Sequence, residues 1–152
     1  MTTRHSLSDD SESALIIEKS AKDNLEGELK KKTNEKRNFF KRLRSEFLDG
    51  DVPENCVEKI YKGVDSLVQF RAGNEMRGYC VYTDSVPSYN ILYIFEITDH
   101  KYSKYELSKY DARAGKTLEE LDNLSNTEEV EQYLANNNAH YSEDIKEYIQ
   151  SI

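Results

Sequence analysis

The sequence has 152 residues, which is enough for one domain with a hydrophobic core and too few for two domains of ordinary size. Charged residues make up 33% and hydrophobic residues 37%, so the composition is polar but still typical of a globular chain. The sequence contains no apolar run of roughly 18 residues and no apolar signal-peptide core, so we expect a cytoplasmic protein with no membrane partner. Neither Cys56 nor Cys80 has a second cysteine or a histidine at ligand spacing, so we expect no disulfide, no metal site and no cofactor.

The net charge of −8 is unevenly distributed along the chain. Residues 117–152 contain nine acidic side chains and one basic side chain, so this segment alone carries −8. The first 116 residues hold the remaining 20 acidic and 20 basic side chains and are therefore balanced. A balanced body followed by an acidic tail is a charge asymmetry that indicates an interaction role for one of the two parts.

The N-terminal part of the chain is predicted to contain one strand and two helices. Residues 1–12 are polar and are predicted to be a disordered lead-in. Residues 14–19 predict a short strand, and Ser20 is a plausible N-cap for a helix over residues 21–31. A second helix over residues 34–48 has an apolar face made of four side chains: Phe39, Phe40, Leu43 and Phe47.

A meander of three strands is predicted in the middle of the chain, over residues 65–72, 76–83 and 90–97. The first two strands alternate in character, whereas the third is more continuously apolar, as expected of a strand covered on both faces. Gly73-Asn74-Glu75 predicts a short hairpin loop between the first two strands. If that loop has three residues, Arg71 and Arg77 pair across the ladder and share one face of the sheet.

The C-terminal part is predicted to be helical. Residues 116–124 form one amphipathic segment, and a capping pattern that begins at Thr127 opens a second helix to about residue 136. Ser142 is the predicted N-cap of a last helix. The sequence therefore predicts an α+β fold, in which two N-terminal helices pack on an antiparallel sheet of about four strands and C-terminal helices are added.

Three features of this order resemble the RelE/ParE toxin superfamily. A helix pair follows a first strand, and Phe70-Arg71-Ala72-Gly73 is followed by Arg77 in the next strand of the hairpin. The third strand then ends in the turn Ile97-Thr98-Asp99-His100-Lys101-Tyr102. The resemblance implies a RelE-like toxin domain over residues 13–116, between the lead-in of residues 1–12 and an acidic helical extension over residues 117–152.

The resemblance also implies a function. RelE-like toxins belong to type II toxin–antitoxin modules and are metal-independent endoribonucleases that cleave ribosome-bound mRNA. The implied partners are therefore mRNA, the ribosome and a cognate antitoxin protein. The alternative is a non-catalytic protein of the same fold that binds a protein target, as the gyrase-inhibiting ParE branch does. The strand before the hairpin has Leu67, Val68, Gln69 and Phe70 where RelE-type members usually have lysines, and this departure favours the alternative.

Cleavage by attack of the ribose 2′-hydroxyl requires a base, an acid and cations around the phosphate. An imidazole titrates near neutral pH, and nearby cations are expected to keep it in the neutral, base-competent form. The candidate catalytic residues are His100, Arg77, Arg71 and Tyr105. The candidate RNA-binding residues are Lys101, Tyr102, Lys104, Lys41 and Arg44. Each of these residues also has a competing structural interpretation. The lysines are solvated surface residues, the arginines pair with acids such as Glu75 or Glu96, and the tyrosines pack against other side chains.

The acidic tail supports one further hypothesis. Its short amphipathic helices are candidates for folding back over the basic face of the toxin domain and shielding it, as an antitoxin does. The simpler interpretation is that these helices are peripheral and complete the hydrophobic core.

Overall fold

A computed structural model describes residues 11–60, 64–72 and 76–152 of the chain. The described part contains five strands and five α-helices. The strands are β1 (Glu12–Ile17), β2 (Glu58–Lys59), β3 (Val68–Ala72), β4 (Met76–Thr83) and β5 (Tyr89–Thr98). The helices are α1 (Lys19–Glu26), α2 (Thr33–Leu43), α3 (Lys104–Asp122), α4 (Thr127–Asn136) and α5 (Ser142–Ser151). The general α+β class is as predicted. Most of the predicted lead-in lies outside the described residues, but Glu12 already belongs to β1.

The five strands form one mixed sheet in the order β1-β5-β4-β3-β2. The three strands of the predicted meander are confirmed, and β3, β4 and β5 are antiparallel neighbours. The expectation of an antiparallel sheet of about four strands is wrong in two respects. The short strand β2 adds a fifth member at one edge, and β1 pairs with β5 in parallel at the other edge. The predicted hairpin loop at residues 73–75 lies outside the described residues.

Helices cover both faces of the sheet. On one face, α1, α2 and α5 contribute side chains such as Leu25, Phe39 and Ile145 to a core cluster that includes Phe70 and Ile94 of the sheet. On the opposite face, α3 contributes Leu107 and Ala114, which lie in a cluster with Tyr79, Val81 and Phe95. Helix α4 and the C-terminal part of α3 cover β1 and β5 on this same face through Leu121, Val130 and Leu134. Strand β5 is apolar along its length because both of its faces are covered, as predicted.

Helix α1 contacts the same edge of β5 that pairs with β1, beyond the point where β1 ends. β1 ends at Ile17, so the carbonyl groups at the end of β5 no longer have a strand neighbour on that side. The side chains of two α1 residues donate hydrogen bonds to these carbonyls, from Ser20 Oγ to Phe95 O at 2.9 Å and from Asn24 Nδ2 to Ile97 O at 2.6 Å. The prediction that Ser20 is an N-cap is therefore wrong, because the N-cap position is Glu18 and the Ser20 hydroxyl binds the sheet.

Helix α2 places the predicted aromatic face in the core. Phe39 makes edge-to-face contacts with Phe40 and Phe70, with ring centroids 5.2 and 5.1 Å apart. The helix continues into a π-helical turn, Arg44–Leu48, which keeps Phe47 buried. A glycine is required just beyond this turn, because a Cβ at Gly50 would lie 2.1 Å from the carbonyl oxygen of Glu46. The backbone at Gly50 therefore passes close to the backbone of Glu46, where the helical turn ends.

Helix α3 begins twelve residues before the predicted position, at Lys104 rather than at residue 116. Ser103 Oγ accepts a hydrogen bond from the backbone N–H of Glu106, and the Glu106 carboxylate accepts one from the N–H of Ser103. This capping box fixes the start of the helix, which then crosses the predicted boundary between residues 116 and 117. None of the helices in the described part of the chain combines the length and the apolar character needed to cross a bilayer.

Candidate functional site

Arg71 and Arg77 are directly opposite each other in the β3–β4 ladder, as the three-residue loop predicts. Residues two apart in a strand point to the same face, so Gln69 shares the face of Arg71, which is the face covered by α3. Arg71 Nε lies 3.6 Å from Glu58 Oε1, and Arg77 Nη1 donates a long hydrogen bond of 3.5 Å to Gln69 Oε1. Glu58 also accepts a hydrogen bond of 2.9 Å from the Gln69 amide. Among the described residues, the carboxylate that contacts this group is Glu58 rather than Glu96, and the other expected partner, Glu75, lies outside the described residues.

A cavity of about 120 Å³ opens at this end of the sheet. Its polar lining consists of the two arginines, Gln69, and Lys101 from the turn after β5. Its apolar walls are Ile60, Tyr79 and Leu107. We call this feature the cationic cavity. Three cationic side chains around a small concave space with apolar walls are an arrangement suited to a phosphate or another small anion, because guanidinium groups bind phosphate oxygens in a bidentate manner.

His100 is adjacent to Lys101 in sequence, but its ring is not part of the lining of the cationic cavity. His100 Nε2 is 2.7 Å from Glu28 Oε1 and 3.4 Å from Asp99 Oδ1, and the side chain is exposed. The hydrogen bond to Glu28 and the charge of Asp99 raise the pKa of His100 above its ordinary value. The expectation that nearby cations keep this ring neutral is therefore wrong, because its immediate neighbours are carboxylates.

The tyrosines after β5 have two different environments. Tyr102 is stacked between Tyr79 and Tyr110, with ring centroids 5.0 and 5.8 Å apart and interplanar angles of 15° and 7°. Burial raises the pKa of the Tyr102 hydroxyl, and its ring faces are occupied by these two neighbours. Tyr105 is 70% exposed on the first turn of α3, with the Lys109 ammonium 4.6 Å from its ring centroid. Tyr105 therefore has an accessible surface, whereas Tyr102 is a packing residue in this structure.

The other predicted RNA-binding cations lie apart from the cavity. Lys41 and Arg44 belong to α2 and its π-helical turn, which cover the opposite face of the sheet. Lys41 is exposed, but Arg44 Nε donates a hydrogen bond of 2.9 Å to Ser142 Oγ and lies 3.6 Å from Asp49 Oδ2. Lys104 is exposed at the first position of α3. The structure thus gathers Arg71, Arg77 and Lys101 and leaves Lys41 and Arg44 on another surface.

The acidic tail does not form a separate shield. Helices α3 and α4 complete the core on the face of the sheet that carries the cationic cavity, and α5 packs beside α2 on the other face. Two arginines of the basic helix and its π-helical turn contact α5 and the residue that follows it. Arg37 Nη2 donates a hydrogen bond of 2.8 Å to the carbonyl oxygen of Ile152, and Arg44 Nη2 lies 3.9 Å from Glu143 Oε1. These contacts fit the interpretation in which the helices of the acidic tail are peripheral and complete the hydrophobic core.

Gln69 and Glu58 are two residues of this site that the sequence did not predict. The alternation of β3 was sufficient to find Gln69, because residues 69 and 71 must point to the same face. Glu58 carries no such signal, since β2 has only two residues and no recognisable pattern. Comparison of the chain with models of protein families, with curated proteins and with solved structures found no match.

Proposed function

We propose that this protein is a RelE-like toxin that binds mRNA on the ribosome, with the cationic cavity as the site for the phosphodiester that it cleaves. The observation that supports the proposal is the convergence of Arg71, Arg77 and Lys101 on one small cavity at the end of the β3–β4 hairpin. These residues belong to the two sequence segments that resemble the family.

In the proposed reaction the cavity acts by electrostatic stabilisation. The 2′-oxygen bonds to the neighbouring phosphorus and loses its proton to water, while the bond from phosphorus to the 5′-oxygen breaks and that oxygen leaves as a hydroxyl after taking a proton from water. The attack places additional negative charge on the phosphate oxygens, and preorganised guanidinium and ammonium groups stabilise that charge without metal. Tyr105 is the exposed aromatic ring near the start of α3 and is the candidate for stacking on an unpaired base. His100 is excluded from this proposal in its present position because its ring is hydrogen-bonded to Glu28.

The second candidate function is a non-catalytic toxin of the same fold that binds a protein target. The position of His100 favours it, because the side chain best suited to proton transfer faces Glu28 and Asp99 instead of the cationic cavity. This candidate keeps the partner antitoxin and the cytoplasmic location expected from the resemblance, and it dispenses with RNA cleavage.

Cleavage of ribosome-bound mRNA, mapped by primer extension, distinguishes the two functions. The wild-type protein, Arg77→Ala and Lys101→Ala are compared with Lys146→Ala, which removes an exposed cation from α5. We expect cleavage by the wild type and by Lys146→Ala, and loss of cleavage in both cavity variants. Growth arrest without RNA breaks, unchanged by Arg77→Ala, contradicts the endoribonuclease and supports the protein-binding toxin.

A further inference from the structure

Three potential metal ligands converge on the surface beside the turn that follows β5. They are Glu28, which follows α1 in the chain, and Asp99 and His100 of the turn itself. One ligand atom from each residue lies within 4.8 Å of the other two. His100 Nε2 is 2.7 Å from Glu28 Oε1 and 3.4 Å from Asp99 Oδ1. A tetrahedral metal with ligand distances near 2.1 Å separates its ligand atoms by about 3.4 Å, so small side-chain movements suffice to place an ion between these atoms.

The second observation is an unsatisfied oxygen. Asp99 Oδ1 is buried and accepts no hydrogen bond from the residues that the structure describes. A buried carboxylate oxygen without a donor is costly, and such an atom indicates a water molecule or an ion as its partner. The atom belongs to the same three-residue group and lies 3.4 Å from His100 Nε2. The unused hydrogen-bonding capacity of this oxygen therefore adds to the clustering of the three ligand atoms as support for a ligand.

Two further contacts orient the Asp99 carboxylate and the turn. Lys32 Nζ binds Asp99 Oδ2 at 2.7 Å, which fixes the carboxylate and leaves Oδ1 for another partner. The backbone N–H of His100 donates to Thr98 Oγ1 at 3.1 Å, and this contact holds the turn. Metal sites typically have such outer contacts, which orient the ligands. Glu28 and His100 are both more than half exposed, so solvent has access to the remaining coordination positions.

We propose that Glu28, Asp99 and His100 bind one divalent transition-metal ion, and that this ion is Zn²⁺. One imidazole nitrogen and two carboxylate oxygens suit Zn²⁺ and its first-row neighbours, whereas Mg²⁺ and Ca²⁺ prefer an all-oxygen set. Three protein ligands leave a position for water. The bound ion would join the segment after α1 to the turn that precedes Lys101, and this site does not depend on the proposed RNA-binding function.

The test uses the 152-residue chain and Zn²⁺ as the probe. Isothermal titration is expected to show one saturable site per chain, weakened by about tenfold or more in Glu28→Gln and in His100→Ala. Two matched variants, Glu26→Gln and His5→Ala, remove a neighbouring carboxylate and another histidine and are expected to bind Zn²⁺ as the wild type does. An excess of Mg²⁺ is expected to leave Zn²⁺ binding unchanged.

A second measurement locates the ion directly. The chain has three histidines, at positions 5, 100 and 140, so their imidazole NMR signals can be followed individually. Substoichiometric Mn²⁺ is expected to broaden the His100 ring signals before those of His5 and His140. Absence of saturable Zn²⁺ binding overturns the proposal, as does binding that survives His100→Ala unchanged. Because Glu26, Glu28 and His100 are exposed, far-UV circular dichroism of each variant separates lost ligation from lost fold.

Discussion

Arg71 and Arg77 lie directly opposite each other in the β3–β4 ladder, and each guanidinium group makes a long contact with a described residue. Arg71 has an ion pair of 3.6 Å with Glu58, and Arg77 has a hydrogen bond of 3.5 Å with the neutral amide of Gln69. Like charges directly opposite each other in a ladder are destabilising unless an anion lies between them. The pair therefore favours an anionic ligand on energetic grounds, independently of the chemistry that follows binding.

The first prediction concerns the salt dependence of RNA binding. Arg77→Ala is expected to lower the affinity for a single-stranded RNA and to reduce the slope of log Kd against log salt by about 1, as expected for the loss of one phosphate contact. Fluorescence anisotropy over a salt series measures both quantities. Lys146→Ala is the control and is expected to leave the slope unchanged, and an equal loss of affinity in the two variants would contradict a localised site.

The second prediction concerns the anchor between α3 and the start of β3. The Asp111 carboxylate accepts hydrogen bonds from three successive backbone N–H groups, those of Asp65, Ser66 and Leu67, at 3.3, 2.8 and 2.8 Å. Asp111→Ala leaves these donors without their acceptor and is expected to lower the free energy of unfolding by about 2 kcal/mol. Urea denaturation measures the change. Glu119→Ala, an exposed substitution on the same helix, is expected to lie within about 0.5 kcal/mol of the wild type.

The third prediction concerns acid destabilisation through His140. Its backbone pairs with Leu15 of β1 by hydrogen bonds of 2.9 and 2.7 Å, and its Nε2 is buried without a hydrogen-bond partner in the described structure. Burial, with a smaller contribution from Lys22 of α1, lowers the pKa of His140, while Asp144 of α5 opposes the shift. The unfolded chain therefore binds a proton at a higher pH than the folded chain does.

Stability from this histidine is fully present above its unfolded pKa of about 6.5 and is lost as the pH falls through the lower folded pKa. His140→Leu is expected to flatten the decrease in unfolding free energy below pH 6.5, measured by urea denaturation at a series of pH values. If the variant loses stability with acid as steeply as the wild type does, another group carries this dependence.

The fourth prediction concerns the two thiols. Burial, aided by the negative charge of Glu46, raises the pKa of Cys56 to about 12, and burial raises the pKa of Cys80 well above its ordinary value. Since the thiolate is the reactive form, both cysteines are expected to react with Ellman's reagent far more slowly in the native protein than in urea. Rapid labelling of one thiol in the native state would show that its surroundings open readily.

The sequence predicted the elements with strong periodicity and failed where tertiary contacts decide. The aromatic face of α2 and the three strands of the meander follow from spacings of 3.6 and 2 residues. The start of α3 could have been predicted, since Ser103 and Glu106 form a capping box. The tyrosine-rich segment that follows was instead interpreted as a site. The parallel pairing of β1 with β5 and the meeting of Glu28 with His100 bring together residues more than 70 positions apart, and no local pattern encodes them.

The facing of Arg71 and Arg77 was predictable because it depends only on loop length, whereas the direction of His100 was not. A turn residue can point to either side, and the outcome here depends on the position of Glu28 after α1. The candidate site could therefore be predicted in its strand residues and not in its turn residues. Gln69 is an intermediate case. The sequence predicts the face of the sheet to which its side chain points, but it does not predict the cavity that this side chain lines.

The pairing of β1 with β5 also has a consequence for the order of events during synthesis. Ile16 takes its ladder position beside Tyr93, a residue made 77 positions later. The β3–β4–β5 meander has only local pairings, so it can assemble first, and closure of the long loop to β1 must follow. On a translating ribosome, the N-terminal strand must therefore wait, with Leu15, Ile16 and Ile17 uncovered, until the segment carrying β5 has left the exit tunnel.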